Sequence, residues 1–176
     1  MARFAAPRRL ATRRPGRRGQ TLVEFALVLP VFLLMLFAVI DGGRFVFLSS
    51  ALSNAAREGA RLGSVEASWR GSSDPSCGAP AGPVCPANDA QLRTHITTAA
   101  NRQMAPFGSV DNLYMSCVPA SGTPPSGQWT STTCGTPAAG GLMSIRVTHT
   151  WRPITPFVSS ILGAITSSGS ATVSIN

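Results

Sequence analysis

The chain has 176 residues and a formal net charge of +8, and every one of its fifteen basic residues is an arginine. Seven of these precede residue 20, where there is no acid, while from residue 20 onward eight arginines face seven acids. The charge therefore belongs to the first residues and not to a folded domain. Without aromatic interleaving or a helix-turn-helix pattern it does not argue for a nucleic-acid partner.

After this basic leader, residues 1–19, comes Phe25–Ile40, sixteen residues without a charge. With Leu22 and Val23 before it and Phe45–Leu48 after it, the stretch is long enough for a hydrocarbon core of about 30 Å. Membrane lipid is the first partner this implies. An arginine-rich flank stays in the cytoplasm and attracts anionic head groups, so the remainder of the chain is expected outside. A secretory signal peptide would show a shorter apolar run closed by a small-x-small cleavage site. Here Asp41-Gly42-Gly43-Arg44 follows and apolar residues resume, which argues for a retained helix. Pro30 is tolerated within a membrane helix and is expected to kink it. Glu24 is the charge in the apolar stretch, costly at mid-bilayer and less so near an interface.

Residues 49–62, SSALSNAAREGARL, are rich in good helix formers. They carry an apolar stripe through Ala51, Ala55 and Leu62, with Arg57 and Arg61 four apart on one face. The pattern predicts one helix from about 21 to 63, roughly 65 Å long at 1.5 Å per residue. It would serve as an anchor extended into a stalk. Asp41 and Arg44, at i and i+3 near the outer membrane face, form a candidate pair. That pair is either a solvated interfacial bridge or a contact with another subunit.

Residues 67–88 read as an exposed loop, and Asn88 or Asp89 as the cap of a helix over 90–105 that Pro106 ends. His95 falls on that helix and is expected to be exposed. Alternation predicts strands over 110–118 and 143–151, with His149 on the core-facing side of the latter. Residues 119–141 read as a loop that includes a short strand near Trp129, and Ala171, Val173 and Ile175 as a final strand. The fold class expected is α+β: a long N-terminal transmembrane and stalk helix, then a small extracytoplasmic domain with one further helix and a short antiparallel sheet. The domain boundaries expected are 1–19, 20–63 and 64–176.

Cys77, Cys85, Cys117 and Cys134 all follow the apolar helix. On the outer side disulfides persist, and four cysteines allow three connectivities. Cys77–Cys85 with Cys117–Cys134 is favoured, because each pair brackets a loop rich in Gly, Pro and Ser. The spacings typical of zinc sites are absent. So are G-x-S-x-G, G-x4-G-K-[ST] and H-E-x-x-H. The acids beyond the anchor, Glu58, Glu66, Asp74, Asp89 and Asp111, do not form an evident pair for acid–base work. The expectation is a protein without catalysis, cofactor, metal or small-molecule substrate.

Gly19-Gln20-Thr21-Leu22-Val23-Glu24-Phe25, after an arginine-rich leader and before an apolar helix, resembles a type IV prepilin-type processing site. Residues 17–63 resemble more specifically the N-terminal region of the TadE family, pseudopilin-like proteins of the tight-adherence (Tad/Flp) pilus machinery. The matching elements are Gly19, Val23-Glu24-Phe25, Ala26, Pro30, Asp41-x-Gly43-Arg44 and Ala56-Arg57-Glu58-Gly59-Ala60-Arg61. The strand, the Trp-Arg-Pro-Ile-Thr-Pro turn and the closing strand within 142–175 also fit; residues 67–140 do not enter the resemblance. It implies cleavage by a prepilin peptidase between Gly19 and Gln20, which leaves Glu24 fifth in the mature chain. It also implies an assembly contact at Glu24 and Phe25, the glutamate pairing with the new N-terminal amine of a neighbouring subunit. The partners implied are other pilin-like subunits and the Tad secretion platform, and the location is the cytoplasmic membrane of a bacterium or a surface pilus. A membrane-anchored adhesin or secretion accessory protein outside any fibre is the alternative.

Overall fold

In a computed structural model, residues 18–80, 82–127, 129–135 and 139–175 are described. The basic leader lies outside them up to residue 17. The elements run α1 (Arg18–Ser68), α2 (Asp89–Met104), β1 (Asn112–Val118), β2 (Leu142–Trp151), α3 (Pro156–Leu162) and β3 (Ile165–Ser174). The architecture is α+β, with a long apolar N-terminal helix, a further helix and a three-stranded antiparallel sheet in the order β1-β2-β3.

The chain forms two compact units, divided between Ala38 and Val39 within α1. In the first, every side chain from Gly19 to Ala38 is exposed, and helical residues continue on both sides of Pro30. The second unit holds the rest of α1 and everything after it. The division lies inside α1 and not at its end. The reason is that Leu48, Leu52, Ala55, Ala56, Ala60 and Ala67 of α1 are core residues of the domain.

The remainder of that core comes from Leu92, Ile96, Ala100 and Met104 of α2, with Leu113 and Met115 of β1 and Met143, Ile145, Val147 and Trp151 of β2. Small residues let α1 come close. A Cβ at Gly59 would stand 3.0 Å from the Ile96 side chain, and one at Gly63 2.6 Å from Met143 Sδ. A Cβ at Gly169 in β3 would lie 2.5 Å from the Leu52 carbonyl carbon and 2.8 Å from the Ser53 nitrogen. There only a glycine lets the strand touch the helix backbone.

Local chemistry explains the starts and stops. Asn88 Oδ1 accepts the Gln91 N–H at 3.0 Å, and Gln91 Oε1 accepts the Ala87 N–H at 2.8 Å, a reciprocal cap on α2. Gly163, at φ 63°, closes α3 and donates its N–H to the Ser159 carbonyl. The register places Met115 opposite Ile145 and Ile145 opposite Ala171, so the middle of one face of the sheet is apolar, and that face continues into the His149–Ser167 pair. The opposite face is rich in hydroxyls, and Ser144 on it is buried against Thr172 with its Oγ 2.9 Å from Thr172 Oγ1.

Four expectations need correction. The helix continues past residue 63 to Ser68, since Ser64, Glu66 and Ala67 find buried surroundings. The last strand begins at Ile165 and not near 171, because its Ser/Thr-rich first half pairs with Trp151 through Arg146 although it lacks an apolar pattern. Beyond the one further helix expected, Pro156–Leu162 forms a second short one, α3. No strand forms near Trp129 among the described residues, although the Ser131 carbonyl accepts the Met115 N–H at 3.1 Å.

Candidate assembly and anchor sites

The residues singled out by sequence fall into three places. Gly19 and Gln20 occupy the first turn of α1, where backbone N–H groups lack partners within the helix and unwinding is easiest. Gln20 Nε2 donates to Glu24 Oε1 at 3.3 Å, one turn along. Around them Leu22, Val23, Phe25 and the apolar residues to Ile40 are all exposed. A surface of this length and composition is not stable against water. Among the described residues α1 is the helix long and apolar enough to cross a membrane.

The second place is Asp41, which directly follows the apolar run. It is 3 % exposed. Its carboxylate accepts the Ile154 N–H at 3.2 Å and the Thr155 N–H at 3.3 Å, and the Thr155 hydroxyl donates to it as well. Arg44 Nη1 lies 3.7 Å from Asp41 Oδ1, an ion-pair distance without a hydrogen bond. One residue on, Phe45 meets Trp151 edge to face with ring centroids 5.4 Å apart. The solvated-bridge reading of Asp41 and Arg44 therefore gives way to another. Asp41 holds the Trp151–Thr155 turn, 113 residues away in sequence, against α1. The donors Ile154 and Thr155 escaped sequence reasoning because two are backbone groups.

The third place is the pair of cysteine loops. The structure joins Cys77 to Cys85 and Cys117 to Cys134. The first closes a surface loop in which Ser76 donates its hydroxyl and its N–H to Asp74, lowering that carboxyl's pKa from the ordinary value. The second fastens the buried Cys134 to β1. Arg70 spans between them, donating to the Asp89 carboxylate and to the Gly135 carbonyl.

The histidines are both engaged. His95 is not fully exposed as expected: it is half-buried, with Nδ1 2.7 Å from Glu66 Oε2, because α1 extends far enough to bring Glu66 beside α2. His149 lies on the central strand β2, one residue past its last pair with β1, and its Nδ1–H donates to the Ser109 carbonyl at 2.8 Å. A groove of about 430 Å³ between α1 and α2 contains Glu58, Arg61, Glu66, His95 and Arg102. Its carboxylates are already paired, Glu58 with Arg61 at 2.7 Å and Glu66 with His95. Among the described residues no group of three metal-ligating side chains comes together.

An exposed apolar helix that passes into a folded α+β domain defines a membrane-anchored protein. Residues 19–61 match the sequence model of the family described as TadE-like protein, so the chain carries a TadE-like N-terminal region. The match takes in Gly19, Glu24, Asp41 and the Ala56–Arg61 element, and ends before the cysteine loops and the sheet. No match is found among curated proteins or among solved structures.

Proposed function

We propose that this protein is a TadE-like minor pilin or pseudopilin, acting in the assembly or anchoring of a Tad-type pilus through packing of its apolar helix in the membrane. The observation that carries the reading is a carboxylate, Glu24, in the exposed and largely apolar first part of α1, five residues beyond a glycine and inside the TadE-like region. In this reading the leader is removed after Gly19 by a prepilin peptidase on the cytoplasmic face. The amine so created on one subunit neutralises Glu24 of the next. A carboxylate in a low-dielectric site is tolerable once a cation shares it, and such a pair sets the axial register between helices that otherwise slide on apolar faces. Gly42 and Gly43 support lateral packing, since a Cβ at either would meet nothing within 4 Å in this chain's own fold. The outer domain then makes tip or platform contacts.

The test is to replace Glu24 by Gln in the producing bacterium and to sequence the mature N-terminus. Processing at Gln20 with intact membrane insertion and failed assembly supports the proposal. An uncut Met1 or Ala2 terminus overturns the processing step. Unchanged assembly in E24Q favours the alternative, a membrane-anchored adhesin or secretion accessory protein outside the fibre.

A further inference from the structure

The sheet has two edge strands, β1 and β3, and the chain treats them differently. In an antiparallel sheet alternate residues turn their N–H and C=O to one neighbour, and the residues between turn theirs to the other. On β1 the outward groups are engaged. The Ser131 carbonyl accepts the Met115 N–H at 3.1 Å, Arg93 Nε donates to the Leu113 carbonyl at 3.3 Å, and the Cys117–Cys134 bridge holds that loop to the strand. Met115 thus points its N–H away from β2, and this fixes the phase of the whole sheet. Ile145, opposite it, bonds toward β3, and Ala171 with the other odd-numbered residues of β3 bonds back. Thr166, Ser168, Ser170, Thr172 and Ser174 therefore direct their backbone groups to the open edge. Among the described residues no hydrogen bond reaches those groups; the contacts of Thr166, Ser168 and Thr172 with β2 go through their hydroxyls.

An open edge pairs with another chain unless something blunts it: a charge, a proline, a bulge, a short length or a covering loop. Among the described residues β3 has none of these. It runs ten residues without a charge or a proline, and its register with β2 is unbroken from Leu142–Ser174 to Trp151–Ile165. Its inward side chains Ile165, Ala171 and Val173 are only partly buried, while Trp151, Ile145 and Met143 opposite them are buried. The strand's own arrangement says what fits. Its five outward-bonding residues are symmetric about Ser170, so β3 is its own antiparallel complement. A twofold axis at Ser170 sets Thr166 opposite Ser174 and Ser168 opposite Thr172 of a second copy, and each free N–H then meets a free C=O. Every facing pair on the exposed side is hydroxyl on hydroxyl. The sheet already contains that pairing, with Ser144 Oγ 2.9 Å from Thr172 Oγ1 and Thr150 Oγ1 3.4 Å from Thr166 Oγ1.

We propose that β3 pairs with β3 of a second copy of this chain, antiparallel about Ser170, so that the two sheets become one continuous sheet. The main-chain hydrogen bonds supply the affinity, as in strand addition generally, and the matched hydroxyls supply the register. The half-covered row Ile165, Ala171 and Val173 gains neighbours from the second copy's inward side chains. The contact lies within the second unit and rests neither on Glu24 nor on removal of the leader.

The test uses the full chain in detergent with its native disulfides formed, so that an introduced cysteine is the free thiol. Ser170→Cys and, as a control at an exposed position of α2, Thr94→Cys are treated with a short bismaleimide. The expected result is a covalent dimer for S170C and none for T94C. Ser170→Lys and Ser170→Glu, substitutions of an exposed side chain, are then compared by sedimentation. Each alone sets like charges face to face and is expected to weaken the dimer several-fold, and an equimolar mixture of the two is expected to recover it. A monomeric parent chain with no S170C product overturns the proposal. So does a dimer indifferent to charge at position 170, which places the association elsewhere. Cross-linking of S170C in the producing bacterium to a different protein, with no self-linked product, assigns the edge to that protein and also overturns it. Glu24→Gln is expected to leave the S170C product in place, so failure of the Glu24 contact and failure of this one are told apart.

Discussion

The two halves of α1 obey different rules, although one helix contains both. Residues 19–38 expose every side chain and are apolar nearly throughout, so their stability is supplied by surroundings outside the chain. Residues 48–67 are poorer in large apolar groups, yet they bury Leu48, Leu52 and four alanines in a core of their own making. A hydrophobic sequence thus marks where the chain needs lipid, whereas a small-residue sequence marks where it needs its own sheet. The TadE-like region spans both, and its conspicuous Ala56–Arg61 element is explained here as a packing surface. Ala56, Gly59 and Ala60 face inward, while Arg61 pairs with Glu58 outside.

This contrast is broken most directly at glycines. Gly169→Ala forces a methyl group into the α1 backbone at Leu52 and is expected to cost about 3 kcal/mol or more. Chemical denaturation in detergent, followed by the far-ultraviolet signal of the sheet, measures it. Gly43→Ala meets open space and is expected to leave the same midpoint unchanged or slightly raised, as a helical Gly→Ala exchange does. Equal losses at the two positions would mean that α1 does not lie on β3 as described.

Next in size is the Cys117–Cys134 bridge, which closes a 17-residue separation. Replacing both cysteines by serine is expected to lower stability by about 3 kcal/mol on the chain-entropy account. The Cys77–Cys85 bridge closes only 8 residues on the surface and should cost less. Denaturation midpoints of the two double variants give the order.

Asp41→Asn weakens a buried carboxylate that accepts three hydrogen bonds from Ile154 and Thr155. A loss of about 2 kcal/mol is expected. Faster hydrogen exchange confined to the Trp151–Thr155 turn would identify the cause, and exchange unchanged there would remove Asp41 from that role. The smallest effect on the domain is expected from Glu24→Gln, which lies in the exposed unit and should leave the denaturation midpoint unmoved while assembly is lost. A shifted midpoint would show that the two halves of α1 are less independent than their burial implies.

Much of this was legible before any coordinates. β2 alternates Met143, Ile145, Val147 against Ser144, Arg146, Thr148, and α2 has a cap at Asn88 and an apolar stripe through Leu92, Ile96 and Ala100, so both read correctly within a residue or two. β3 did not, because Thr166, Ser167, Ser168, Gly169 and Ser170 have no apolar period and owe their strand conformation to pairing with β2. His95 was read as exposed because its partner Glu66 lies 29 residues away on a helix expected to have ended.

What the sequence determined by itself was whatever depends on near neighbours. That includes the membrane helix, written in sixteen uncharged residues, the cap and stripe of α2, the alternation of β2, and a cysteine spacing in which each pair brackets its own loop. Tertiary structure decided what depends on distant groups. It made the outer half of α1 a core helix, gave Asp41 the amides of Ile154 and Thr155, and admitted only glycine at 169. The physical reason is the same in each case: burial and hydrogen-bond satisfaction are set by what the folded chain brings within a few ångströms, and periodicity reports only on the residues within a turn or a pleat.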